Sequence, residues 1–176
     1  SDEEQKRSEG LYLDGVEHGK WKYWYENGQL EEISNYFKGM FHGKVIRYYE
    51  NGQKESLGFF RYDRQDSLMK SWYENGNLEK KGKYDNGEKV GKWTYWYENG
   101  QKMKVEDHGT RADSGYKVIA FWTEKGEQTI ENGNGAATYY YVTDTLQERV
   151  HYSNGKPDGK IEKWYGIGAK RLEGFF

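Results

Sequence analysis

The chain has no cysteine, no long apolar run and no helical periodicity in its 176 residues, and its mean hydropathy is −1.21. The missing cysteines exclude disulfides, thiolate metal sites and thiol catalysis. Without a stretch of about 20 apolar residues there is no transmembrane helix. The opening SDEEQKRS lacks the apolar core of a signal peptide. No G-x-S-x-G, P-loop or H-E-x-x-H pattern occurs, so the common signatures of acyl transfer, phosphate binding and zinc hydrolysis are lacking. An excess of one charge is missing too. The 27 basic and 29 acidic residues leave a net charge of −2. Nucleic acid and anionic membranes usually select a basic face, so neither is expected as a partner.

What the chain does have is aromatic residues, 18% of the total, and a repeat. Low hydropathy alone would suggest disorder, but disordered chains are poor in aromatics. Amphipathic rings suit a half-buried sheet surface. WYENGQL at 24–30 returns as YYENGQK at 48–54, WYENGNL at 72–78 and WYENGQK at 96–102. Gly28, Gly52, Gly76 and Gly100 are each 24 residues apart, and a fixed period in this range marks a repeat architecture. Asn-Gly between aromatic runs is the strongest short hairpin signal, because a type I′ turn needs φ > 0 at both central residues. Four two-residue turns are therefore expected at Asn27-Gly28, Asn51-Gly52, Asn75-Gly76 and Asn99-Gly100.

A second, looser turn lies between these tips. YLDGVEHGK at 12–20, YFKGMFHGK at 36–44 and YDNGEKVGK at 84–92 keep the same register, with Asp63 filling the glycine slot of a degenerate copy. Each repeat then reads strand, tight turn, strand, wide turn, and strands joined only by turns make an antiparallel meander. The expected fold is all-β: an elongated meander of 24-residue hairpin repeats in a mostly single-layer, twisted sheet of roughly fourteen strands. Residues 1–10 read as a polar tail and 11–176 as one repeat domain, regular over 11–106 and irregular over 107–176. The irregularity centres on ENGNGAAT at 131–138, and YYVTDTLQ at 140–147 has lost its Asn-Gly.

Alternation sorts the side chains. Trp21, Tyr23 and Tyr25 fall on one face, and Trp24, Tyr48, Trp72, Trp96 and Trp164 on the other. A two-residue turn pairs Tyr25 with Leu30 and Trp21 with Ser34. Gly58 and Gly82 share the Ser34 slot, leaving room for a bulky ring across the strand pair. The same register sets Glu31, Glu55, Glu79 and Met103 opposite the tryptophan slot. Three acids there would make a wet, contactable surface, so that face is the candidate for partner binding and the Trp21 face the more tightly packed.

The repeated W-Y-E-N-G-Q tip with its G-x-x-x-G-K wide turn resembles the MORN repeat variant family of bacterial proteins, closely over 11–106 and loosely over 116–176. The resemblance implies an elongated run of β-hairpins. Some members are described as antitoxin-like components of toxin–antitoxin systems, and others as envelope or secreted proteins. Related eukaryotic MORN proteins act as scaffolds and have been linked to phospholipid head groups. The resemblance brings no catalytic residue and no cofactor.

The remaining chemistry-bearing residues read as structural. Glu26, Glu50, Glu74 and Glu98 are equivalent by repetition, so nothing splits them into an acid and a base, as a catalytic pair requires. His18 and His42 share a slot in successive wide turns without a recurring third ligand, so no metal site is expected. Gly133-Asn134-Gly135 lacks the rest of a dinucleotide fingerprint and reads as a bulge. Trp24, Tyr48, Trp72, Trp96 and Trp164 fit either a stacked ladder that holds the sheet or an aromatic stripe facing a partner. Three functions follow: a non-catalytic scaffold presenting a sheet surface to a protein, an antitoxin-like protein that neutralises a toxin by contact, and an envelope module for glycan or lipid head groups. An envelope or secreted location stands ahead of a cytoplasmic one. The C-terminal RLEGFF, with apolar Phe175 and Phe176, is the expected route for self-association.

Overall fold

The computed structural model describes residues 6–113, 115–141 and 143–176. The first five residues of the expected polar tail lie outside these, as do Ser114 and Val142. Every regular element is a β-strand, and sixteen strands are present among the described residues. Two compact units divide between Val90 and Gly91. The first holds β1 (Ser8–Leu13), β2 (Val16–Trp24), β3 (Leu30–Phe37), the short β4 (Met40–Phe41), β5 (Gly43–Tyr48), β6 (Lys54–Arg61), β7 (Arg64–Trp72) and β8 (Leu78–Asp85). β1 therefore begins inside the segment read as tail. After β9 (Glu88–Trp96), which carries the division, the second unit holds β10 (Lys102–Asp107), β11 (Lys117–Trp122), β12 (Gln128–Glu131), β13 (Asn134–Tyr140), β14 (Leu146–Ser153), β15 (Lys156–Trp164) and β16 (Lys170–Phe175). Within each unit the strands pair antiparallel in chain order, an all-β meander, and β4 adds to β3 ahead of β5.

The two turn types are the reverse of the expectation. At the tip, Gly28 N–H donates to Tyr25 C=O and Tyr25 N–H to Gln29 C=O. Gly28 has φ 84°, while Asn27 is not in the left-handed region. This is a three-residue loop, a type I turn closed by a left-handed glycine. Asn27 serves through its side chain instead, with Oδ1 accepting from Gln29 N–H at 2.9 Å. The two-residue type I′ turns are the ones that read as wide. Asp14-Gly15, Lys38-Gly39, Asn86-Gly87, Asn132-Gly133 and Asn154-Gly155 all have paired positive φ, and Tyr62-Asp63 manages it without glycine. The tip that lost its Asn-Gly keeps the geometry: Asp144 at φ 58° takes the glycine place and donates to Tyr141 C=O.

The longer tip loop shifts the pairing by one residue. Trp24 lies opposite Leu30, whereas Tyr23 lies opposite Glu32, so Glu31 bulges out of the ladder. Glu55, Glu79 and Met103 do the same in the next three hairpins. Below the bulge the register returns to that of a two-residue turn, and Trp21 meets Ser34 as expected. A second irregularity follows the type I′ turns at Asp14-Gly15, Tyr62-Asp63 and Asn154-Gly155. Three residues of β2 separate His18 from Lys22, while one residue of β1 separates their partners Leu11 and Glu9. The left-handed Gly19 sits in this excess, as Ser67 and Gly159 do in β7 and β15. Such bulges bend a strand and increase its twist.

The packed face of the first unit follows from one row. Trp21, Ser34, Val45, Gly58, Met69 and Gly82 succeed one another across the strands. Large and small residues alternate, so each large side chain lies over a small neighbour. Gly10 continues the row on the other side of Trp21, and a Cβ there would lie 2.1 Å from the indole. Rings of Tyr12, Tyr23 and Tyr36 close round Trp21 with centroids at 4.8 to 6.3 Å. All fully buried residues described in this unit, namely Trp21, Ser34, Val45, Gly58, Ser71 and Gly82, lie on this face. In the second unit the core is Val118, Phe121, Ile130 and Ala137, with Met103, Tyr139 and Tyr152 packed against it.

Gly10→Ala is expected to destabilise the full chain by about 1–3 kcal/mol, because the methyl has nowhere to go but the indole. Gly15→Ala meets nothing within 4 Å, so only its left-handed backbone resists, at roughly 1 kcal/mol. Urea midpoints of the two variants compare the effects. Equal losses would mean that Trp21 does not need the Gly10 gap.

Candidate functional site

The tip motif builds a hydrogen-bonded ladder between repeats. The Tyr25 hydroxyl donates to Tyr48 C=O at 2.6 Å, Tyr49 to Trp72 C=O at 2.8 Å, and in the second unit Tyr97 to Trp122 C=O and Tyr141 to Trp164 C=O at 2.9 Å. Asn27 and Asn51 add bonds from Nδ2 to Glu50 and Glu74 C=O. Each tip therefore satisfies backbone carbonyls of the next one. Burial first, then the nearby Glu31, Glu55 and Glu50 carboxylates, raises the Tyr25 phenol, and Tyr49 is raised by burial and by Glu55, Glu79 and Glu74. Both hydroxyls thus keep the proton they donate.

These acids also locate the bulges. Glu31 and Glu55 act electrostatically on the Tyr25 hydroxyl, Glu79 Oε2 accepts from Ser71 Oγ at 2.6 Å, and Met103 packs on the Phe121 core. The bulged residues therefore turn toward the packed face. This corrects the expectation that they oppose the tryptophans. The residues opposite Trp24, Tyr48, Trp72 and Trp96 are Leu30, Lys54, Leu78 and Lys102.

In the first unit Trp24, Tyr48 and Trp72 share the other face, and each is half-buried. No described residue on that face of the first unit is fully buried, so it is the open one. Lys6 Nζ lies 5.2 Å from the Trp24 ring centroid, a cation–π contact. In the second unit Trp96, Trp122 and Trp164 are likewise half-buried. Trp122 belongs to this set and was missed, because its tip glycine, Gly126, falls 26 residues after Gly100 instead of 24. Its alignment within FWTEKGEQ was the available signal. Lys102 lies over Trp122 at 5.0 Å and Lys170 over Trp164 at 5.6 Å.

Trp164 sits beside a charged knot. The Glu162 carboxylate is 2.8 Å from Lys160 Nζ and 2.9 Å from Lys170 Nζ. Hydrogen bonds from Lys160 and then Lys170 hold Glu162 down to about 2. A second buried carboxylate, Glu106, occupies the small-residue slot opposite Trp93. Burial alone would raise it. Lys104 at 2.7 Å, the Tyr95 hydroxyl at 2.9 Å and His108 at 3.1 Å outweigh that and hold it below the usual carboxylate range.

The other candidates are dispersed. Glu26, Glu50, Glu74 and Glu98 stay exposed at the tips. Phe37 stands between His18 and His42, with ring centroids at 5.6 and 5.8 Å, so the two imidazoles pack tilted against one phenyl ring and not against each other. Gly133 is the second residue of a type I′ turn, and Gly135 is the second residue of the strand after it. Among the described residues no helix is long and apolar enough to cross a membrane.

The profile of the family described as MORN repeat variant matches residues 17–38, 41–62, 65–86 and 89–106. The chain belongs to the MORN repeat variant family. Each matched MORN repeat starts in the strand that follows a type I′ turn, and the first three run through the tip to the next such turn. One repeat therefore contains one whole tip with its tyrosine and asparagine. No curated protein matches the chain.

Tyr49→Phe should cost about 1 kcal/mol, since Trp72 C=O loses its donor, as read from the urea midpoint. A variant as stable as the parent would remove the hydroxyl ladder from the account. The Glu106 linkage is separate. Its folded pKa lies below the ordinary 4.5, so its contribution is complete above pH 4.5 and fades as pH falls through the depressed value. Glu106→Gln should flatten the acid limb of stability against pH, and an unchanged limb would show that other carboxylates set it.

Proposed function

We propose that this MORN repeat chain is a non-catalytic scaffold that binds a protein partner on the open face of its first unit. The observation that carries the reading is the segregation of burial. The packed face holds every fully buried residue described there, while Trp24, Tyr48 and Trp72 remain half-open beside Leu30, Lys54 and Leu78. Aromatic rings standing partly clear of their own core mark interaction surfaces. Repetition supports the same reading, because equivalent side chains at equal spacing present one extended surface and no concentrated reactive centre.

Site-specific photo-crosslinking in the native cells tests this. Benzoylphenylalanine at Tyr48 or Trp72 is expected to give one discrete protein adduct, and the same group at Tyr84, on the packed face, none. Adducts from Tyr84 alone, or equally from both faces, would overturn the assignment.

A further inference from the structure

The open face of the first unit also separates charge. One row crosses six strands on it: Lys22, Ile33, Ile46, Leu57, Lys70 and Lys81, each opposite the next in register. Lys20 and Lys44 flank the row toward the type I′ turns, and Lys54 lies toward the tips. Between the Gly19, Gly43 and Ser67 bulges and the tips, β2 to β8 place no carboxylate on this face. Glu32 is on the packed face, paired with Arg47 at 2.7 Å. The bulges turn Glu31, Glu55 and Glu79 to that side as well. Glu9 of β1, opposite Lys22, is already held by Lys6 at 3.1 Å. Among the described residues none of Lys20, Lys22, Lys44, Lys54, Lys70 and Lys81 forms an ion pair. A chain of net charge −2 therefore carries an excess of cations across β2 to β8 on one face of its first unit, where the one neighbouring carboxylate, Glu9, is held by Lys6.

We infer that the partner presents to this face an extended peptide segment with aliphatic side chains at its centre and carboxylates on both sides of them. The inference rests on the open face being the binding face. Carboxylates of the segment lie over Lys22, Lys70 and Lys81, and its apolar side chains over Ile33, Ile46 and Leu57. Electrostatic complementarity of this kind selects partners and steers their approach. A single-stranded nucleic acid would use the lysines and the neighbouring rings of Trp24, Tyr48 and Trp72, but it would leave Ile33, Ile46 and Leu57 without an apolar partner.

The test measures binding of the full chain to a labelled peptide with a leucine-rich centre between glutamate-rich ends, by fluorescence anisotropy. Binding is expected, with weaker binding to the counterparts in which serine replaces the leucines or the glutamates. The triple variant Lys22→Glu, Lys70→Glu, Lys81→Glu should lose about tenfold in affinity, as a few exposed ion pairs imply. The triple Lys117→Glu, Lys125→Glu, Lys156→Glu in the second unit changes net charge equally and should lose little. Neutral Lys→Gln replacements at the first three positions should lose less than the reversal, and circular dichroism verifies that each variant folds. Equal loss from both triples, or tighter binding of an oligothymidylate than of the peptide, overturns the inference. So does an adduct at Tyr48 that survives the first triple. That last outcome leaves the open face as a binding face for an apolar partner, whereas no adduct at all removes the face itself.

Discussion

Each tip takes one residue more than a two-residue turn would, and each hairpin returns it one step later at Glu31, Glu55, Glu79 or Met103. The cause is local. A type I turn bends the chain the wrong way for a twisted hairpin unless a left-handed residue follows it, and Gly28, Gly52, Gly76 and Gly100 supply that residue. A one-residue slip would put every side chain on the opposite face. Here the slip lasts only from the tip to the bulge. It places Leu30, Lys54, Leu78 and Lys102 beside the aromatic stripe and sends three acids to the other side. The charge separation of the two faces depends on it.

Among the described residues of the first unit no helix or second sheet lies on its packed face, so its rings cover one another. Alternating large and small residues along the row Trp21, Ser34, Val45, Gly58, Met69 and Gly82 make that workable, because each indole or branched side chain lies across a residue with little of its own. A well-buried ring contributes perhaps ~1.5 to 3 kcal/mol. The rest comes from hydrogen bonds that tie each repeat to the next at both ends. Tyrosine hydroxyls do this at the tips. At the type I′ turns, Gly39 N–H reaches Glu17 C=O and Gly87 N–H reaches Gln65 C=O. Asp63, lacking the freedom of glycine, still donates to Phe41 C=O and also accepts from Phe41 N–H at 2.7 Å. Contacts of this kind run between neighbours, as in other repeat proteins.

The regular period, the all-β class, the antiparallel meander and the Trp21–Ser34 pairing were legible in the residues, because each rests on local rules: alternation along a strand and left-handed backbone at glycine. The hydroxyl ladder was not legible. YENG reads as a turn, and only the folded repeat shows that Tyr25 and Asn27 serve the next tip. Turn type was misread for a related reason. Asn-Gly suits both a type I′ turn and the end of a type I turn, and the choice falls to the flanking pairing.

By itself the sequence determined how often the chain turns back and which side chains alternate, since spacing of 24 residues and a period of two survive any packing. Tertiary structure decided where each turn begins, and therefore which residue meets which across the tip. It also decided which face stays open. Both faces carry aromatic residues, and hydropathy does not separate them. Gly10, Gly58 and Gly82 do, by letting large side chains close over one face, while Lys22, Lys70 and Lys81 on the other have no such gap to close and remain beside the solvent.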